Sequence, residues 1–60
     1  MTLIKTLRKT KGISQEELAR NLGVSLQTVR NWESDKAAPR AENIKKLAEF
    51  FNTESSIFLT

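Results

Sequence analysis

Three residues, Gly23, Val24 and Ser25, separate two segments that each carry the marks of a short amphipathic helix. Upstream, Ser14 and Glu17 stand at the spacing of a capping box, with Ile13 and Leu18 at the flanking positions of a hydrophobic staple. Downstream, Ser25 is a second N-cap, and Val24 with Val29 repeats the staple. So short a link cannot turn the chain back into a long antiparallel pair, and the two helices must cross steeply. Ala19 falls where they approach most closely; a larger side chain there would push them apart.

The same punctuation organises the rest of the chain. Gly12 and Gly23 follow apolar-periodic segments, where a left-handed residue ends a helix, and Pro39 and Asn52-Thr53 mark two later boundaries. Apolar residues recur at steps of three and four: Leu3 and Leu7, Leu18 and Leu22, Val29 and Trp32, then Ile44, Leu47 and Phe51. No alternating stretch rich in branched residues competes as a strand. The pattern predicts a compact all-α fold of five helices, at about 2–10, 15–22, 26–34, 41–51 and 55–59, forming a single domain over residues 1–60.

Composition narrows the chemistry. The 60 residues include neither cysteine nor histidine, so disulfide bracing, the usual zinc ligands, imidazole bases and thiolate nucleophiles are all missing. Glu16 and Glu17 are neighbours on a helix and cannot face each other across a substrate, which argues against an enzyme. No apolar run approaches the roughly 20 residues of a membrane span, and the N-terminal stretch lacks the apolar core of a signal peptide. The expectation is a cytoplasmic protein without metal, cofactor or membrane partner. The net charge is +3. Its distribution is uneven: residues 1–12 hold Lys5, Arg8, Lys9 and Lys11 with no acid, whereas residues 13–35 are net acidic. A nucleic-acid ligand is compatible with these numbers, and so is ordinary solvated charge.

The run from Gln15 through Leu18-Ala19, Leu22-Gly23-Val24-Ser25 and Val29 to Trp32-Glu33 resembles the helix-turn-helix of the lambda-type phage repressor and Cro family. The flanks are similar too: Leu7-Arg8, Gly12-Ile13-Ser14-Gln15, and Pro39 ahead of Asn43-Ile44-Lys45-Lys46-Leu47-Ala48. The resemblance extends from about Leu3 to Leu59 and implies a five-helix DNA-binding domain with its helix-turn-helix at the second and third helices. Two positions depart from the family pattern. Asp35 stands where a glycine is common, and Arg40 where Ser or Thr often caps the fourth helix.

The residues of the third helix suit that role on physical grounds. Val29 and Trp32 take the inward stripe and leave Gln27, Arg30, Asn31 and Ser34 largely outside it. Gln and Asn can bond an adenine edge, and Arg a guanine edge, in bidentate fashion. The expected base readers are Gln27, Arg30 and Asn31, with Leu26 either against a thymine methyl or tucked beside Leu22. Gln15 opens the second helix, whose free N–H groups and dipole favour phosphate. The resemblance implies that it touches the DNA backbone, together with Ser25, Thr28, Lys36, Arg40 and Asn43. It also implies a partly buried ion pair between Arg8 and Glu33, each toward the apolar side of its helix.

A single domain of this size buries only ~600–1,000 Å² on DNA, so a homodimer on half-sites ~34 Å apart is expected. Of the apolar run Ile57-Phe58-Leu59, Ile57 and Leu59 are assigned to the core, which leaves Phe58 as the dimer-interface candidate. The expected function is sequence-specific binding of double-stranded DNA in transcription regulation, as a repressor. Alternatives are an antitoxin or restriction-modification controller of the same chemistry, or a protein-interaction domain that has lost DNA binding.

Overall fold

Every long helix of this chain ends the same way. The computed structural model describes residues 1–59, so that Thr60, the last residue of the expected domain, lies outside the described residues. Four α-helices follow in order, α1 (Thr2–Lys11), α2 (Gln15–Leu22), α3 (Leu26–Glu33) and α4 (Ala41–Phe50). After each of them one residue turns left-handed: Gly12 at φ 75°, Gly23 at φ 70°, Asp35 at φ 64° and Asn52 at φ 53°. The N–H that follows then bonds back to a carbonyl inside the helix: Ile13 to Arg8 at 3.2 Å, Val24 to Ala19 at 3.0 Å, Lys36 to Asn31 at 2.9 Å and Thr53 to Ala48 at 2.9 Å. This is the Schellman closure, which satisfies carbonyls that a helix end leaves open. Asp35 thus takes the conformation that glycine adopts more cheaply, since a short polar side chain tolerates it where most do not.

The helix starts divide into capped and uncapped. Ser14 accepts from the Glu17 N–H while Glu17 accepts from the Ser14 N–H, a complete capping box, and Ser25 accepts from the Thr28 N–H. Arg40 precedes α4 without any side-chain cap bond.

The expected fifth helix at 55–59 is instead a single 3₁₀ turn, Ser55–Phe58. Four residues cannot sustain an α nucleus, and Glu54 before them offers no side-chain cap. Among the described residues the fold is therefore four α-helices and one 3₁₀ turn, without strands.

The core gathers Ile4 of α1, Leu18, Ala19 and Leu22 of α2, Val29 and Trp32 of α3, Ile44, Leu47 and Ala48 of α4, and Phe58. Three expectations about it are corrected, on the face of α1, on Phe58 and on Leu59, which was assigned to the core and is exposed. The buried face of α1 is Ile4 and Arg8, while Leu3 and Leu7 lie half-buried on its flank. Ile4 packs into the core, and Arg8 one turn later reaches Glu33 of α3 from the same side of the helix. Phe58 is 3% exposed and belongs to the core, so it is not available as a dimer contact. In the tight turn the side chains that follow each other point about 120° apart, and with Phe58 inward Leu59 emerges, 67% exposed, while Ile57 stays half-buried. No helix among the described residues is long and apolar enough to cross a membrane.

Candidate nucleic-acid interface

Two capped helices and their three-residue link place α3 on the surface. Gly23 must be left-handed for α2 to close and for Ser25 to begin α3; its missing side chain meets nothing within 4 Å, so conformation alone calls for glycine there. α3 then buries Val29 and Trp32 against α2 and the rest of the core. At 3.6 residues per turn, Gln27, Asn31, Arg30 and Ser34 are left along its outer side.

On this ridge the Gln27 amide donates to the Asn31 carbonyl oxygen at 2.9 Å. The bond joins the two across one turn and leaves the Gln27 oxygen as an acceptor and the Asn31 amide as a donor. Leu26 is half-buried and borders a hollow of about 310 Å³ with Glu16, Ala19, Arg20 and Val24. Ser25 and Thr28 share a hydroxyl–hydroxyl bond of 2.8 Å at the start of α3.

Hollows flank the ridge on both sides. Toward α4, Thr28, Asn31 and Trp32 meet Ala37, Ala38, Arg40 and Asn43 around about 210 Å³. Four of the expected site residues, Thr28, Asn31, Arg40 and Asn43, are brought together here; Lys36 is exposed and does not line this space. Toward α1, Lys5, Arg8, Lys9, Gln15, Arg30, Glu33 and Ser34 surround about 470 Å³. Arg30 is thereby set apart from Gln27 and Asn31 and grouped with cations of α1. Lys5 and Lys9 are absent from the expected set; the signal that pointed to them was the acid-free basic run of residues 1–12.

The floor of this second hollow is an ion pair. Arg8 Nε donates to Glu33 Oε2 at 2.7 Å and Arg8 Nη2 to Glu33 Oε1 at 3.1 Å, with the side chains 11% and 5% exposed. Arg8 Nη1 donates to the Ile13 carbonyl at 2.9 Å, and the Gln15 amide donates to Glu33 Oε1 at 3.1 Å. One cluster therefore locks α1, the start of α2 and the end of α3 together. Burial pushes the Glu33 carboxyl up, but the hydrogen bonds from Arg8 and Gln15 and the nearby positive charges outweigh it and hold it below the ordinary carboxylate value. The hydrogen bond to Glu33 raises the Arg8 guanidinium against the opposing effect of burial. At the carboxyl end of α3 the Met1 amine donates to the Trp32 carbonyl and pairs with the Asp35 carboxylate at 2.8 Å, a cation where the helix dipole is negative.

The helix-turn-helix family profile matches residues 4–58. A transcriptional activator of Enterococcus faecalis, BcrR, is 39% identical over 49 residues, covering 82% of this chain and 24% of its own length. The cryptic phage CTXphi transcriptional repressor RstR of Vibrio cholerae is 35% identical, covering 80% of this chain and 43% of its own. An uncharacterised helix-turn-helix transcriptional regulator of Escherichia coli K12, YiaG, is 41% identical, covering 73% and 46%. The chain thus spans less than half the length of these relatives. No solved structure matches it at the same stringency. With the matched region running from α1 to the 3₁₀ turn, and the capped α2–turn–α3 unit at its centre, the chain belongs to the lambda-type helix-turn-helix family.

Proposed function

We propose that the chain binds double-stranded DNA sequence-specifically through the major groove and acts in transcription regulation, as a repressor that covers a promoter. The observation that carries this reading is the α3 ridge. Its joined Gln27–Asn31 pair offers one acceptor and one donor side by side, the complement of an adenine edge in the major groove. Leu26 at the start of the ridge supplies an apolar surface for a thymine methyl. Arg40, Asn43 and Thr28 on one flank, with Gln15 and Ser25 at the helix starts and Lys36 in the loop, supply polar groups for phosphates, which set register without reading sequence.

The relatives are named as regulators, one an activator and one a repressor, and none as an enzyme. Two copies on a two-fold symmetric site give the affinity that one small domain lacks. With Phe58 in the core, exposed Leu59 and half-buried Ile57 are the residues offered to a second copy.

Selection of bound duplexes from a random pool in dilute salt tests the reading. It predicts an enriched motif with two inverted halves about one helical turn apart. A single unrepeated motif would overturn the paired arrangement. No enrichment over repeated rounds would overturn DNA binding itself and leave a protein-interaction role.

A further inference from the structure

The α3 ridge has a wall of polar groups on each side, one completed by Arg40 and Asn43, the other by Lys5 and Lys9 of α1. A helix seated in the major groove, ~12 Å wide, has a phosphate strand along each flank. At about 100° per residue, Thr28 and Asn31 lie to one side of the Gln27 direction and Arg30 and Glu33 to the other. The first side opens on Arg40 and Asn43. The second opens on the larger hollow, whose rim is Lys5 and Lys9 of α1 and Arg30 of α3.

The charge of that hollow is unbalanced. Its single acid, Glu33, is closed off by Arg8 and Gln15 in the floor. The contact ion pairs among the described residues are Arg8–Glu33 and the Met1 amine with Asp35; Lys5 acts on Glu33 only at longer range, and Lys9 and Arg30 make no contact ion pair. All three are exposed, and they surround about 470 Å³ of open space beside the first residue of α2. An anion in this space meets several positive charges and one acid that is already paired. Lys5 and Lys9 stand one turn apart on α1, so their ammonium groups face the hollow in succession.

We propose that this hollow is a second backbone-phosphate cradle, in which Lys5, Lys9 and Arg30 hold the strand opposite the one held by Arg40 and Asn43. The inference rests on the reading of α3 as the groove-bound helix and extends the DNA track to α1. It also assigns Arg30 to phosphate rather than to a guanine edge.

The test is the salt dependence of duplex binding for the whole chain, measured on a selected site and on the same site with single base-pair changes. Each lost phosphate contact lowers the slope of log K against log salt by ~0.9. The double variant Lys5→Ala/Lys9→Ala is expected to lower it by about two and to weaken all sites equally. Arg30→Ala is expected to lower it by about one, with base preference unchanged. Lys45→Ala/Lys46→Ala removes the same charge from α4, where Lys46 reaches the Leu22 carbonyl at the far end of α2, and is expected to keep the slope. An unchanged slope for the α1 variant, or an equal fall for the α4 control, overturns the cradle while leaving the α3 reading intact. Loss of preference at one guanine on Arg30→Ala overturns its assignment to phosphate. Inorganic phosphate shifting the resonances of α1 while the duplex slope stays unchanged marks a small-anion site and also overturns the cradle. Absence of duplex binding by the unaltered chain defeats the α3 reading, and the cradle with it.

Discussion

Arg8 and Glu33 are the residues on which the rest of the molecule turns. Their side chains are nearly enclosed, and Gln15 and the Ile13 carbonyl complete the set of hydrogen bonds. A buried pair adds little net stability over an apolar pair of equal volume, but removing one partner strands the other charge. Arg8→Ala is therefore expected to cost about 3 kcal/mol, which for so small a chain is a fall in Tm of more than 10 °C. Chemical denaturation of the variant checks this; a change below about 1 kcal/mol would contradict it. The pair also gives the stability an acid dependence. Glu33 is held below its ordinary value in the fold, so its contribution is complete above the unfolded value and is lost as the pH falls through the folded one. The unaltered chain should lose stability on acidification below the ordinary carboxylate range more steeply than Glu33→Gln.

Asp35 makes the opposite case. It holds a left-handed conformation, and its carboxylate, 78% exposed, meets the Met1 amine near solvent, where such a pair is worth at most about 1 kcal/mol. The conformation costs about as much. Asp35→Gly is expected to leave Tm within a few degrees of the unaltered chain; a fall of 10 °C would mean that the amine contact carries far more than an exposed pair should.

At the scale of elements, what was legible in the sequence is what is locally encoded. Ser14 with Glu17, Ser25, Gly12, Gly23 and Asn52 act within their own turn of chain, and α1 to α4 begin and end within one residue of their expected bounds. Gly23→Ala tests that local logic. The added methyl meets no neighbour, so the cost is conformational, about 1 kcal/mol or a fall of ~4–8 °C in Tm, with the fold retained by circular dichroism. No measurable fall would show that the turn does not depend on the left-handed residue. Periodicity failed where a segment is only one turn long. Ile57, Phe58 and Leu59 are consecutive and apolar, and which of them turns inward depends on the corner made by Asn52 and Thr53. It failed also on α1, where the two leucines stood for the apolar face, although the pairing expected of Arg8 with Glu33 already turned the side of Ile4 and Arg8 inward.

For the whole molecule, the functional surface is tertiary, and that limited how much of it could be read in advance. Gln27 and Asn31 are one turn apart and visible as a pair in the sequence; the two hollows draw on residues from 5 to 43 and exist only once α1 has packed against α3 and α4 against α2. The core that positions them is small, and the ridge stands proud of it because Val29 and Trp32 anchor α3 from beneath. The account stands or falls on α3 reading base edges. The most direct measurement is a cycle of affinities: the unaltered chain and Gln27→Ala, each against the selected site and against that site with its central adenine–thymine pair replaced by guanine–cytosine. The account predicts that the base change costs the unaltered chain about 1–3 kcal/mol and costs Gln27→Ala far less, because the contact that sensed it has gone. Equal losses for both proteins would contradict the claim that this ridge reads the groove.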